Sequence, residues 1–213
     1  MTIGKNMLIS AALLGIFAIV GTAMVAFTYD KTAQQVADNK REFTLSKLHE
    51  LIAPSDHDNN LEADTISVSD PLLGTHKPML VYRARKDGKP VAAIIQSIAP
   101  DGYSGAIEML VAIRMDSSLA GVRVVEHQET PGLGDAIDIR KSNWIRQFEN
   151  RSLRQPAAAQ WKVKRDGGQF DQITSATISS RAVVKAVYNT LQYFSKHRQE
   201  LFKSTTAQKR GTP

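Results

Sequence analysis

The chain has 213 residues, with 27 Lys and Arg against 21 Asp and Glu, and no cysteine. That length suits one domain with additions, and an apolar share of 42% beside a charged share of 23% excludes global disorder and collagen-like sequence. The lack of cysteine excludes disulfides, thiolate-bound zinc, iron–sulfur clusters and a CxxCH haem attachment.

In chain order, Asn6 to Tyr29 comes first, a run with no charged residue. It is long enough to span a bilayer and too long for the apolar part of a cleaved signal peptide, and Met24-Val25-Ala26 makes a poor cleavage site. An uncleaved anchor is expected over residues 1–30. Lys5 lies before the span, with Asp30 and Lys31 after it, so the positive-inside rule puts residues 30–213 on the outer face. From Lys31 to Ile52, Val36, Phe43, Leu45, Leu48, Leu51 and Ile52 recur at helical spacing, which predicts a connecting helix that ends before Pro54.

Thr65 to Val68 reads as a short strand. Met79–Arg85 and Val91–Ile98 flank Lys86-Asp87-Gly88-Lys89, a hairpin signal, and Pro100-Asp101-Gly102 is a turn. Ile107–Arg114 and Gly121–His127 form a second pair around Asp116-Ser117-Ser118. Trp144–Phe148 is a short helix, and Trp161–Lys164 is expected to be a last strand closed by Asp166-Gly167-Gly168. From Ser179 to Phe202, Val183, Val184, Val187, Leu191 and Phe194 repeat with helical period. The fold class expected is α+β: an antiparallel sheet of hairpins with a long C-terminal helix packed on it. Residues 204–213 read as a flexible basic tail. Lys196, Arg198, Lys203, Lys209 and Arg210 against Glu200 give the stretch from Ser195 most of the net charge of +6. The rest is near balance, without the basic and aromatic interleaving that nucleic-acid binding needs.

Few residues offer chemistry. The five histidines form no HExxH or other ligand spacing. His127, close to Glu126 and Glu129, reads as a solvated or hydrogen-bonded histidine before a metal ligand. No GxSxG, Walker or GxGxxG motif is present. Two segments stand out. Glu129-Thr130-Pro131-Gly132-Leu133-Gly134-Asp135 is a bare backbone turn that a flat ligand could approach closely, or an ordinary connecting loop. Asp171-Gln172-Ile173-Thr174-Ser175-Ala176-Thr177 precedes the last helix. Its hydroxyls, with Ser179 and Ser180, suit helix capping. The same position also suits a phosphate held by free N–H groups and the helix dipole, with Arg181 assisting. Composition does not choose between the two.

Four stretches resemble a known family. They are Asp101-Gly102-Tyr103-Ser104-Gly105-Ala106-Ile107; Glu126-His127-Gln128-Glu129-Thr130-Pro131-Gly132-Leu133-Gly134-Asp135; Lys164-Arg165-Asp166-Gly167-Gly168-Gln169-Phe170-Asp171; and Thr174-Ser175-Ala176-Thr177 followed by Arg181-Ala182-Val183-Val184-Lys185-Ala186-Val187. Together with the single N-terminal span, they resemble the G subunit of the Rnf/Rsx ion-translocating electron-transport complex. More broadly they resemble the FMN-binding domain shared with the C subunit of the sodium-pumping NADH:quinone reductase.

The resemblance implies FMN joined through its phosphate to a threonine hydroxyl. A separate flavin transferase makes that bond from FAD at a motif Asp-x-x-Ser/Thr-Gly-Ala-Thr. Asp171, Thr174, Ala176 and Thr177 match it, so Thr177 is the attachment residue. Ser175 stands where the family has Gly; if that position has positive φ, Ser costs about 1 kcal/mol. Glu129, Thr130, Pro131, Gly132, Leu133 and Gly134 are implied to contact the isoalloxazine. The organisation implied is an anchor at 1–30, a connecting helix at 31–54, an FMN-binding domain at 55–203 and the tail at 204–213. The implied role is an electron relay in the bacterial inner membrane, its soluble part periplasmic, beside the other Rnf/Rsx subunits. The complex couples electron transfer between ferredoxin and NAD to ion movement. This chain is expected to carry no catalytic residue or metal and to sustain no complete turnover alone, since an unactivated threonine needs a second enzyme. The rival expectation is a membrane-anchored scaffold without a cofactor, in which Thr177 only caps a helix. A sensory regulator would need signalling modules for which the chain has no room.

Overall fold

A computed structural model describes residues 2–203; the tail expected at 204–213 lies outside them. The chain divides into two compact units at Leu45/Ser46, and the boundary falls inside one unbroken helix, α1 (Thr2–Leu51). In the first unit the apolar side chains of α1 point outward all round: Met7, Leu8, Leu14, Phe17, Ile19, Val25 and Phe27 are all exposed. A helix apolar on every side is stable where its surroundings are apolar too. Among the described residues, α1 is the one helix long and apolar enough to cross a membrane.

The second unit is built on five antiparallel strands in sequential order: β1 (Thr65–Asp70), β2 (Thr75–Lys86), β3 (Lys89–Ala99), β4 (Ile107–Arg114) and β5 (Leu119–Glu126). The hairpin signals form as the sequence predicts. Asp87 and Gly88 both take positive φ, the twist a two-residue hairpin turn requires. At the next hairpin Ser117 also has positive φ, and Asp116 Oδ1 accepts the Ser118 N–H at 2.8 Å. Side chains alternate between the two faces. Ala93, Ile95, Met109, Val111, Val122 and Val124 join the main core with Val183, Val187, Leu191 and Phe194 of α2 (Thr177–Leu201).

The opposite face carries Tyr82, Ala84, Ala92, Ile94, Leu110 and Ala112, also buried. The segment from Ser46 closes on that side. Leu48, Leu51 and Ile52 are buried there, a Cβ on Gly121 would lie 3.0 Å from Leu51 Cδ2, and Arg123 Nε bonds Glu50 Oε2 at 2.8 Å.

One expectation fails. Trp161–Lys164 is not a strand. Val163 makes a single bridge to Phe170, and Lys164–Asp166 is a 3-10 helix ended by Gly167 in the left-handed conformation. Trp161 and Val163 are buried in the main core, Trp161 stacking on Phe148 and packing at a tilt against Phe170 and Tyr188. The apolar spacing that mimics a strand therefore reflects burial of two side chains, without a ladder. Trp144–Phe148, read as a short helix, is a 3-10 helix, and α2 starts two residues before the periodic run.

Candidate functional site

A cleft of about 560 Å³ opens where α2 begins, lined by the turn after β5, the start of α2 and Arg165 of the Lys164–Gly168 turn. Its size lies within the range of small-molecule sites.

The turn after β5 is shaped by its glycines. Gly132 has φ +77, with open space where a Cβ would go, so conformation requires it. Gly134 is required by space: a Cβ would sit 2.7 Å from Glu129 Oε2. The Thr130 carbonyl closes the turn by accepting the N–H groups of Leu133 and Asp135 at 3.1 and 3.3 Å.

Glu129 is buried and bridges three segments. Its Oε1 accepts the Ser104 N–H at 3.1 Å and its Oε2 accepts the Ser179 hydroxyl at 2.5 Å. Both oxygens act as acceptors, which suits a carboxylate. Gly102 makes room for it, since a Cβ there would meet Glu129 Oε1 at 2.9 Å. His127 Nδ1 accepts the Glu129 N–H at 3.1 Å, so the histidine is a turn-forming acceptor. Among the described residues no group of three metal-ligating side chains exists.

The start of α2 departs from ordinary capping. Its N-cap is Ala176, whose side chain caps nothing, and Thr177 is the first helical residue. Ser180 does the local stitching: its N–H and hydroxyl both reach the Ala176 carbonyl, and its oxygen accepts the Ile173 N–H at 3.0 Å. Ser179 is committed to Glu129. The first intrahelical bond is that of Ser180, so the N–H groups of Thr177, Ile178 and Ser179 have no acceptor within the helix. They sit at the positive end of the helix dipole, beside the half-buried Thr177, at the edge of the cleft.

Most of the predicted residues meet here. Glu129, Thr130, Leu133, Gly134, Thr174, Ser175, Ala176 and Thr177 line the cleft. Pro131 and Gly132 are exposed in the turn behind it. Asp171 also lies outside the lining. Its side chain is exposed and pairs with Lys164 Nζ at 2.6 Å. Its backbone is held by the 144–148 helix: Trp144 Nε1 donates to its carbonyl at 2.7 Å, and its N–H donates to Gln147 Oε1 at 2.7 Å. Ser175 is exposed and is not among the positive-φ residues, so the expected strain of replacing Gly does not arise. Arg181 is not available to an anion in the cleft. Its guanidinium forks Asp166 at 2.6 and 2.7 Å, and this fork holds the Asp166 carboxyl below its usual range.

The lining also contains Tyr103, Arg165, Ile178 and Ser179, which the site assignment from sequence misses. Tyr103, Leu133 and Ile178 are exposed apolar groups at the rim. Tyr103 and Arg165 stand within the resemblance stretches, but nothing local in the sequence places either beside Thr177.

The residues fit an FMN. The room, the hydroxyl at a helix N-terminus with N–H donors that have no helical acceptor, and the bare turn facing it suit a phosphorylated ligand with a flat apolar part.

Comparison with known proteins agrees. A family model described as an FMN-binding domain matches residues 102–192, and one described as the RnfG N-terminal region matches residues 1–51. The G subunit of the ion-translocating oxidoreductase complex of Pseudoalteromonas atlantica is 45% identical over 204 residues, 95% of this chain and 93% of that one. The corresponding proteins of Vibrio cholerae and Pseudomonas aeruginosa, of the same description, are 47% and 46% identical, covering 93% and 92% of this chain and the same shares of their own. With near full-length identity at this level, two family regions in the expected order and a cleft of the matching chemistry, the chain belongs to the RnfG family, the G subunits of ion-translocating oxidoreductase complexes.

Proposed function

We propose that this chain is the flavin-carrying electron relay of a membrane-bound Rnf complex, with FMN esterified through its phosphate to Thr177. The observation that carries the reading is the position of Thr177. It is the first residue of α2, makes no cap, and borders the cleft next to three N–H groups without helical acceptors. The FMN-binding family match over 102–192 supports the cofactor. Once bound, the flavin supplies transfer of one or two electrons.

The protein's own residues provide position and surroundings. The N–H groups of Thr177, Ile178 and Ser179 stabilise phosphoryl charge. Glu129 locks the turn 129–134 to α2 through Ser179 and to the 102–105 loop through Ser104, so the walls of the cleft keep one geometry. Tyr103, Leu133 and Ile178 offer apolar surface for the flat part of the cofactor. An unactivated threonine hydroxyl is a poor nucleophile at neutral pH, so attachment falls to a separate flavin transferase.

In this reading Asp171 serves the transferase and not the bound flavin, because its carboxylate is exposed and lies outside the lining. The helix α1 anchors the protein in the inner membrane with the soluble unit on the periplasmic side, beside the other subunits. The assembled complex couples electron transfer between ferredoxin and NAD to ion movement, and this chain alone gives no complete turnover.

The test is intact mass with peptide mapping of the full chain made beside a flavin transferase. A gain of FMN less water on the peptide that holds Thr177, absent in Thr177→Val, is expected. An unmodified Thr177 beside an active transferase would overturn the reading in favour of a scaffold without cofactor.

A further inference from the structure

For a connection on the surface, the Lys164–Gly168 turn has a tightly constrained backbone. Gly167 takes φ +79, and a Cβ on Gly168 would lie 1.9 Å from the Lys162 carbonyl oxygen. The turn is pinned from two sides. Asp166 is forked by Arg181 in the second turn of α2, and Gly168 N–H and Lys164 N–H bond the Val163 and Phe170 carbonyls at 3.1 and 2.7 Å.

Each cation around the start of α2 has a distinct fate. Lys164 pairs with Asp171, Arg181 with Asp166, and Lys185 with Asp101 at 2.7 Å. Arg165 forms no salt bridge among the described residues and acts on the neighbouring Asp166 by charge alone, and it is the one basic residue among the described residues that line the cleft that Thr177 borders.

We infer that Arg165 is the phosphate-contacting residue of this site, and that the Asp166–Arg181 pair and the two glycines exist to present it. The inference rests on the reading that the cleft takes FMN, and it assigns the charge partner of the phosphoryl group. A guanidinium suits that group because its fork matches two phosphate oxygens at once. The second fork at the site, Arg181, is spent on Asp166 and acts as a strut. The negative charge of the phosphate is thus met from two directions: backbone N–H groups of α2 on one side and Arg165 on the other. Glu129, the acid in the same lining, has both carboxylate oxygens engaged, by the Ser104 N–H and the Ser179 hydroxyl.

The test uses the full-length protein made without a transferase, so that Thr177 carries no ester, and reads the binding of FMN and of riboflavin by quenching of flavin fluorescence. The two ligands differ by the phosphate alone. Wild type should prefer FMN by more than tenfold, because one partly exposed charge-assisted contact sustains about tenfold and the N–H groups of α2 add to it. Arg165→Ala should cut that preference about tenfold by weakening FMN and leaving riboflavin unchanged, the remainder being what the N–H groups of α2 supply. Arg165→Lys should keep part of it, as a point charge without the fork. An equal preference in wild type and Arg165→Ala, a loss shared by both ligands, or no preference in wild type would overturn the inference. Failure of the attachment reading shows separately, as an unmodified Thr177 beside an active transferase while the FMN preference in binding persists.

Discussion

Two helix ends meet the same sheet and are finished in opposite ways. The last turns of α1, from Ser46, are closed: Leu48 and Leu51 are buried, and Glu50 is bonded to Lys47 at 2.6 Å and to Arg123 at 2.8 Å. The first turn of α2 is open: its N-cap makes no side-chain bond, three N–H groups lack helical acceptors, and a cleft lies beside it. A helix end that serves only the fold has its charges matched and its surface covered. A helix end left with unmatched donors at the edge of a cavity bears a cost that binding can offset. In the proposed reading, the open end beside the cleft is where the cofactor is held.

Substitutions at the two ends should give opposite readouts. The largest effect is expected from Thr177→Val, which removes all covalent flavin while the melting temperature of the flavin-free protein stays within about 1 °C, because Thr177 makes no cap. A stability loss of ordinary cap size, about 1 kcal/mol, would make Thr177 a structural residue and break the contrast. At the closed end, Glu50→Gln removes the charge facing the buried Arg123, which keeps its bond to the Val122 carbonyl at 2.9 Å, and should cost roughly 1–2 kcal/mol by chemical denaturation, since Glu50 itself is partly exposed. Flavin attachment should be unchanged in that variant.

The same carboxylate gives a pH signature. Burial alone would raise the pKa of Glu50, but the bonds from Lys47 and Arg123 outweigh it and hold the group below its usual 4.5. Its contribution is therefore complete above that value and lost as pH falls through the lower folded value. Acid unfolding curves should be steeper below about pH 4.5 in wild type than in Glu50→Gln. Gly168→Ala should cost about 1–3 kcal/mol, as an overpacked backbone contact does, and should slow flavin attachment by displacing the turn that carries Arg165. The smallest effect belongs to Ser175→Gly. With Ser175 exposed and outside the positive-φ residues, stability should change by less than about 0.5 kcal/mol and the rate of attachment by less than twofold. A large gain in rate would show that the transferase itself reads the glycine.

Part of the site is legible in the sequence. Glu129, Leu133, Gly134 and Thr177 belong to two segments that stand out there, about forty residues apart, and they share one cleft. The choice of Arg181 as anion partner follows from its place one turn into the helix. It fails because Asp166, fifteen residues earlier, holds the guanidinium in a two-pronged pair. Arg165 and Tyr103 escape notice because a basic residue and an aromatic in turns carry no sequence signal of what they face.

By itself the sequence determined what depends on neighbours along the chain. The uncharged run that becomes the first part of α1, the period-2 strands, the Asp87-Gly88 turn and the 3.6-residue period of α2 all act over a few residues, where backbone sterics and side-chain alternation suffice. The tertiary structure alone decided what depends on distance through space. It set the burial of Trp161 and Val163 without a strand ladder, and the bond between Glu129 and Ser179, fifty residues apart. It also paired Lys164, Arg181 and Lys185 while leaving Arg165 at the cleft. The physical reason is that charge and hydrogen bonding select partners by separation in ångströms, and packing brings together residues that the chain order keeps apart.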